Sequence, residues 1–100
     1  MIDLKEKVIS EIKKIYDPEI PVNIYELGLI YKIEIIEKKK VNIDMTLTTP
    51  NRPVADSLPK MVKNNILTID GVSDVDLNLV WDPPWTKDKM SEAAKLELNL

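Results

Sequence analysis

Two short stretches concentrate the side chains able to do chemistry. Asp17-Pro18-Glu19 sets two carboxylates on a proline-stiffened loop, and Thr46-Leu47-Thr48-Thr49-Pro50-Asn51-Arg52 sets three hydroxyls, an amide and a guanidinium just before a helical run. Two carboxylates at one rim act as acid and base when their surroundings push their pKa values apart. Hydroxyls and unpaired backbone N–H groups at a strand-to-helix junction offer a dock for an anion, for the sulfurs of a metal cluster or for a partner's carboxylate. The plainer alternative is that Asp17 caps a turn, Glu19 is solvated, and Thr48 and Thr49 only cap and turn the chain.

The missing residue types narrow the chemistry further. Cysteine and histidine are both absent. That excludes disulfides, thiolate nucleophiles, cysteine-ligated zinc and self-held iron–sulfur clusters. It also removes the commonest general base and metal ligand, so carboxylates, hydroxyls, lysines and backbone groups are what remains. No resident metal and no cofactor are expected.

The net charge of −3 argues against nucleic acid as a partner, because phosphate neutralisation supplies most non-specific affinity. The Gly-x-x-Gly loop of a KH-type RNA binder is also missing, since Gly28 and Gly71 are the only glycines. The one basic run, Lys38-Lys39-Lys40, reads as a solvated hairpin turn. No apolar run approaches the ~20 residues of a membrane span, and no charged-then-apolar leader opens the chain. A cytoplasmic protein with neither membrane nor nucleic acid as partner is expected.

The elements that must hold these residues can be read from periodicity. Asp3 and Glu6 resemble a capping box, and Leu4, Val8, Ile12 and Ile15 recur at helical spacing, which predicts a helix over about 4–15, ended by Asp17-Pro18. Leu29 to Ile36 and Val41 to Thr48 alternate as a β-hairpin around Glu37–Lys40, with Leu29, Tyr31, Ile33 and Ile35 on one face and with Thr46 and Thr48 turned away from Met45 and Leu47.

A second helix starts between Pro53 and Pro59. Either it starts near Pro53 and kinks at Pro59, or Ser57 is its cap and the regular helix starts at Leu58; we expect an irregular first turn, with Leu58, Met61, Val62 and Ile66 as its buried stripe. Val72 to Trp81 reads as a third strand, and Thr86 or Ser91 caps a last helix with Met90, Ala93, Ala94 and Leu98 facing inward. One hundred residues, 44% of them hydrophobic, suit one domain over 1–100, a two-layer α+β domain in the order α-β-β-α-β-α. Trp81, Pro84 and Trp85, flanking a diproline, either seal the end of the core or form a preorganised partner-binding knob.

Three stretches together carry a family likeness: Asp17-Pro18-Glu19-Ile20-Pro21-Val22-Asn23-Ile24 through Leu27-Gly28-Leu29-Ile30-Tyr31, then Met45-Thr46-Leu47-Thr48-Thr49-Pro50, then Val80-Trp81-Asp82-Pro83-Pro84-Trp85-Thr86 with Met90-Ser91. The chain resembles the SufT and PaaD-like proteins, also known as domain of unknown function 59 or the MIP-eighteen family, which are metal–sulfur cluster biosynthesis factors. The resemblance implies the small α+β fold of iron–sulfur cluster assembly domains, like the C-terminal domain of NifU. It also implies a role in maturing iron–sulfur proteins. The family usually has a cysteine two residues after the proline of its Thr-Thr-Pro motif, and this chain has Arg52 there. A guanidinium is a permanent cation that cannot ligate iron.

The resemblance therefore points to a non-enzymatic maturation factor that holds no cluster itself, with iron–sulfur carriers or apoprotein targets as partners. Its functional pocket would comprise Asp17, Glu19, Thr48, Thr49, Asn51 and Arg52. Two alternatives stand beside it: an accessory subunit of a multicomponent oxygenase in the PaaD manner, and a small carboxylate enzyme using Asp17 and Glu19. Homodimerisation is left open.

Overall fold

The computed structural model of the chain describes residues 3–17, 20–48 and 52–99, the last segment without the side chains of residues 52–54. Helix α1 spans Leu4–Ile12, and Asp3 caps it by accepting the Glu6 N–H at 2.9 Å. It stops short of the expected residue 15. The bonds of Lys14 N to Glu11 O and Ile15 N to Ile12 O tighten its end into an i to i+3 pattern, while Ile15 stays in the core.

Strands β1 (Ile30–Ile36) and β2 (Lys40–Met45) pair antiparallel. Glu37 and Lys38 both take positive φ in the turn between them, and Lys39 N closes it on Ile36 O. A tight turn with two left-handed residues matches the twist of the strands, although neither residue is the glycine or asparagine that favours it. A register shift between Ile30 and Lys32 makes Tyr31 the extra residue of a bulge.

Helix α2 then spans Arg52–Leu67 and leads to β3 (Asp74–Leu79), which lies parallel to β2 from Lys40↔Asp74 to Met45↔Leu79. A parallel pair cannot be joined by a tight turn, and α2 is the crossover that it requires. The sheet order is β1-β2-β3. The central strand buries Val41, Ile43 and Met45, while Asn42 and Asp44 sit on the opposite, polar face. A 3₁₀ turn (Lys87–Lys89) and helix α3 (Glu92–Glu97) close the chain, with Ser91 Oγ accepting the Ala94 N–H at 3.1 Å. The fold is the expected two-layer α+β order with a three-stranded mixed sheet. Among the described residues no helix is long and apolar enough to cross a membrane.

Helix α2 differs from expectation in two ways. It runs without a break from Arg52 and keeps Pro59 inside it, so the regular helix does not wait for Leu58. An interior proline costs about 3 kcal/mol, whereas burying Leu58, Val62 and Ile66 contributes about 1.5–3 kcal/mol each, so the amphipathic face wins. Met61 is 48% exposed rather than buried. The stripe follows the i, i+4 row 58, 62, 66 and leaves Met61 on its flank. Met90, just before α3, and Ala94 within it are buried as expected, but Ala93 faces outward.

Candidate functional site

The parallel pairing decides where the polar residues meet. β2 and β3 end on the same side of the sheet, β1 begins there, and α2 starts from that side. The segments 46–48, 80–85 and 24–29 therefore converge on one rim, outside the carboxyl ends of the parallel strands, which is the usual place for a ligand in such sheets.

The loop carrying Asp17 is tied to this rim by its backbone. Asp17 N donates to Val22 O at 3.4 Å, Ile24 N to Ile15 O at 2.9 Å, Leu29 N to Ile24 O at 3.2 Å, and Thr46 N to Leu29 O at 2.8 Å. Asp17 is 7% exposed, and its Oδ1 accepts the Ile20 N–H at 3.2 Å. The carboxylate thus fastens the proline loop as an Asx turn does. Asn23 Oδ1 accepts the Glu26 N–H at 2.9 Å and opens a helical turn that ends at Gly28, where φ is 81°. Any side chain there would run into the carbonyl of Lys89.

The segment after β3 crosses back and clasps this turn. Trp85 Nε1 donates to Leu27 O at 2.7 Å, Ser91 N to Glu26 O at 2.8 Å, and the Tyr31 hydroxyl to Pro83 O at 2.8 Å. Burial, and then the carboxylate of Asp82, raise the Tyr31 phenol above the ordinary tyrosine range. The ammonium of Lys89 lies 5.0 Å from the centre of the Tyr31 ring.

The sequence-derived site residues fall into three groups. Asp17 and Thr48 are described, the first buried and the second half-buried, on segments linked through the Leu29–Thr46 bond. Glu19, Thr49, Asn51 and the side chain of Arg52 lie outside the described residues, although the Arg52 backbone opens α2. The two tryptophans part company. Trp81 is 46% exposed beside exposed Pro84, whereas the half-buried Trp85 packs against the core.

Thr46 is the rim residue that sequence reasoning misplaced. It is 1% exposed rather than turned outward, and among the described residues its Oγ1 has no hydrogen-bond partner. β2 stops at Met45, and the chain then runs beside the end of the 24–29 loop, so Met45, Thr46 and Leu47 are all buried and the period of two breaks. In the alternating pattern Tyr31 shares a face with Leu29, Ile33 and Ile35. Its anchoring of Pro83 had no local signal, because its partner is 52 positions away. Among the described residues no group of three carboxylates could hold a metal ion.

Comparison with known proteins agrees with the likeness carried by the motifs. The sequence profile described as iron-sulfur cluster assembly protein matches residues 5–77. An Fe-S protein maturation auxiliary factor of Porphyromonas gingivalis is 42% identical over 98 residues, covering 98% of this chain and 93% of that protein. The Fe-S protein maturation auxiliary factor SufT of Staphylococcus aureus is 38% identical over 86 residues, covering 86% of this chain and 98% of that protein. The crystal structure of a domain of unknown function 59 from Bacillus anthracis superposes with a TM-score of 0.88 at 33% identity, covering 97% of this chain and 92% of that one.

Proposed function

This chain belongs to the iron–sulfur cluster assembly protein family, and from that premise we propose that it serves the maturation of iron–sulfur proteins as a non-catalytic factor that makes protein contacts and holds no cluster of its own. The observation that carries the reading is the donor set. Protein-bound iron–sulfur clusters hang on cysteine thiolates, with histidine as the occasional substitute, and this chain has neither. The cluster is then the cargo of carriers and apoproteins that the domain meets in the cytoplasm.

The pocket proposed for this role joins Asp17 and Thr48 with Glu19, Thr49, Asn51 and Arg52. The backbone bonds between the Asp17 loop and the end of β2 support it. Arg52, standing where the resemblance implies a cysteine, supplies a bidentate donor for a carboxylate or another anion in place of a metal ligand. Trp81 and Pro84 form the exposed contact edge, and Trp85 anchors that edge to the domain. The same edge favours a second reading, an accessory subunit of a multicomponent oxygenase. A carboxylate enzyme fits less well, because Asp17 Oδ1 is engaged by the Ile20 N–H.

Deletion of the gene should lower iron–sulfur enzyme activities under iron limitation and oxidative stress; unchanged activities would overturn the maturation role. The purified protein should stay colourless after anaerobic treatment with iron and sulfide. Stable visible absorbance with stoichiometric iron would overturn the claim that it holds no cluster.

A further inference from the structure

We propose that the cleft that Tyr16 and residues 21–26 form with α3 binds an arginine side chain presented by a partner protein. Its volume is about 280 Å³. That is just below the ~300–1,000 Å³ of pockets for drug-sized ligands, so it suits one long side chain rather than a cofactor. Val22 and Ala94, 6% and 2% exposed, give it an apolar floor beside Ala93, and Tyr16, Glu26 and Glu97 complete the lining.

The unfilled bonding capacity of these walls specifies the occupant. Among the described residues Glu26 has one ionic neighbour, Lys13 Nζ at 3.8 Å, which is beyond hydrogen-bond reach. Among the described residues, the Glu97 carboxylate and the Tyr16 hydroxyl make no hydrogen bond. Ionised carboxylates only accept, so they call for a group that only donates. The apolar floor calls for an aliphatic stem behind that group. Tyr16, 58% exposed, offers a planar cation an aromatic face to stack on. Lysine meets the first two demands. Arginine meets all three, because its flat fork can serve two carboxylates at once and is weakly hydrated.

This extends the proposed role by naming what a partner would present, and it is tested separately from that role. The full chain is titrated with a blocked Gly-Arg-Gly peptide and with the same peptide carrying citrulline, a neutral isostere, while backbone amide shifts are followed by NMR. Saturable shifts at Glu26, Ala93 and Glu97 with the arginine peptide alone are expected. Glu97→Gln should weaken binding about fivefold, the upper range for a partly exposed ion pair. Ala93→Leu, at an outward-facing position, should abolish it by filling the cleft while the circular dichroism spectrum stays unchanged. No shifts at tens of millimolar peptide, equal shifts with citrulline, or full binding by both variants would each overturn the assignment. A failed titration leaves the maturation role to the deletion experiment, and a failed deletion experiment leaves the cleft to the titration.

Discussion

The indole N–H of Trp85 donates to the carbonyl oxygen of Leu27 at 2.7 Å across 58 positions of sequence. This bond holds the segment after β3 against the helical turn before β1. Trp85→Phe keeps most of the ring but leaves the Leu27 carbonyl without this donor, and should destabilise by about 1–2 kcal/mol in chemical denaturation. Trp81→Ala, at an exposed position, should stay within about 0.5 kcal/mol of the parent. If Trp81 and not Trp85 changes stability, the division of labour between the two rings is wrong.

Gly28 combines a positive φ with a backbone neighbour where a side chain would go. Gly28→Ala should therefore cost at least ~2 kcal/mol, since left-handed strain alone costs ~1–2 kcal/mol and the Lys89 carbonyl must also move. Gly71→Ala provides the control: it has positive φ but open space around it, so its loss should be the smaller of the two. Thermal melts of both variants decide the matter, and equal losses would mean that the Lys89 contact is immaterial.

Tyr31 gives the domain a pH-dependent contact. Its neutral hydroxyl donates to Pro83 O, and both burial and the Asp82 carboxylate oppose ionisation. A raised folded-state pKa means that the contribution to stability is complete below the ordinary tyrosine value and is lost as pH rises through the higher one. Ultraviolet titration should show a late-ionising tyrosine component, and Tyr31→Phe should remove it. The stability gap between parent and variant should close in strong alkali.

Thr46 keeps a buried hydroxyl without a partner among the described residues. Thr46→Val exchanges that oxygen for a methyl of similar size, so stability should hold or rise by about 1 kcal/mol. A clear fall in melting temperature would show that the oxygen is bonded after all. If the variant is stable yet fails to support iron–sulfur enzyme maturation, the hydroxyl serves function at the expense of packing.

Much of this architecture was legible because it is local. The Asp3 cap, the alternation Val41–Ile43–Met45, the Leu58–Val62–Ile66 row and the Ser91 cap each announce themselves within a few residues. The misreadings share a cause in contacts from elsewhere in the chain. Pro59 argued locally for a later helix start, and the core overruled it. Thr46 continued an outward alternation on paper, yet the chain beyond Met45 runs beside Leu29, where neither face is open. Of the candidate site, Asp17 could be read as a turn cap, but its burial could not. The clasp by Trp85 and Tyr31 spans more than fifty positions, and no short-range pattern encodes it.

The clasp also sets a timetable for synthesis. A ribosome that has released residues through Leu79 has delivered all three strands, but the turn that supports the rim still lacks Trp85 and Ser91. The nascent domain can thus complete its sheet while its rim waits unfinished, so the rim sets only after Trp85 and Ser91 arrive.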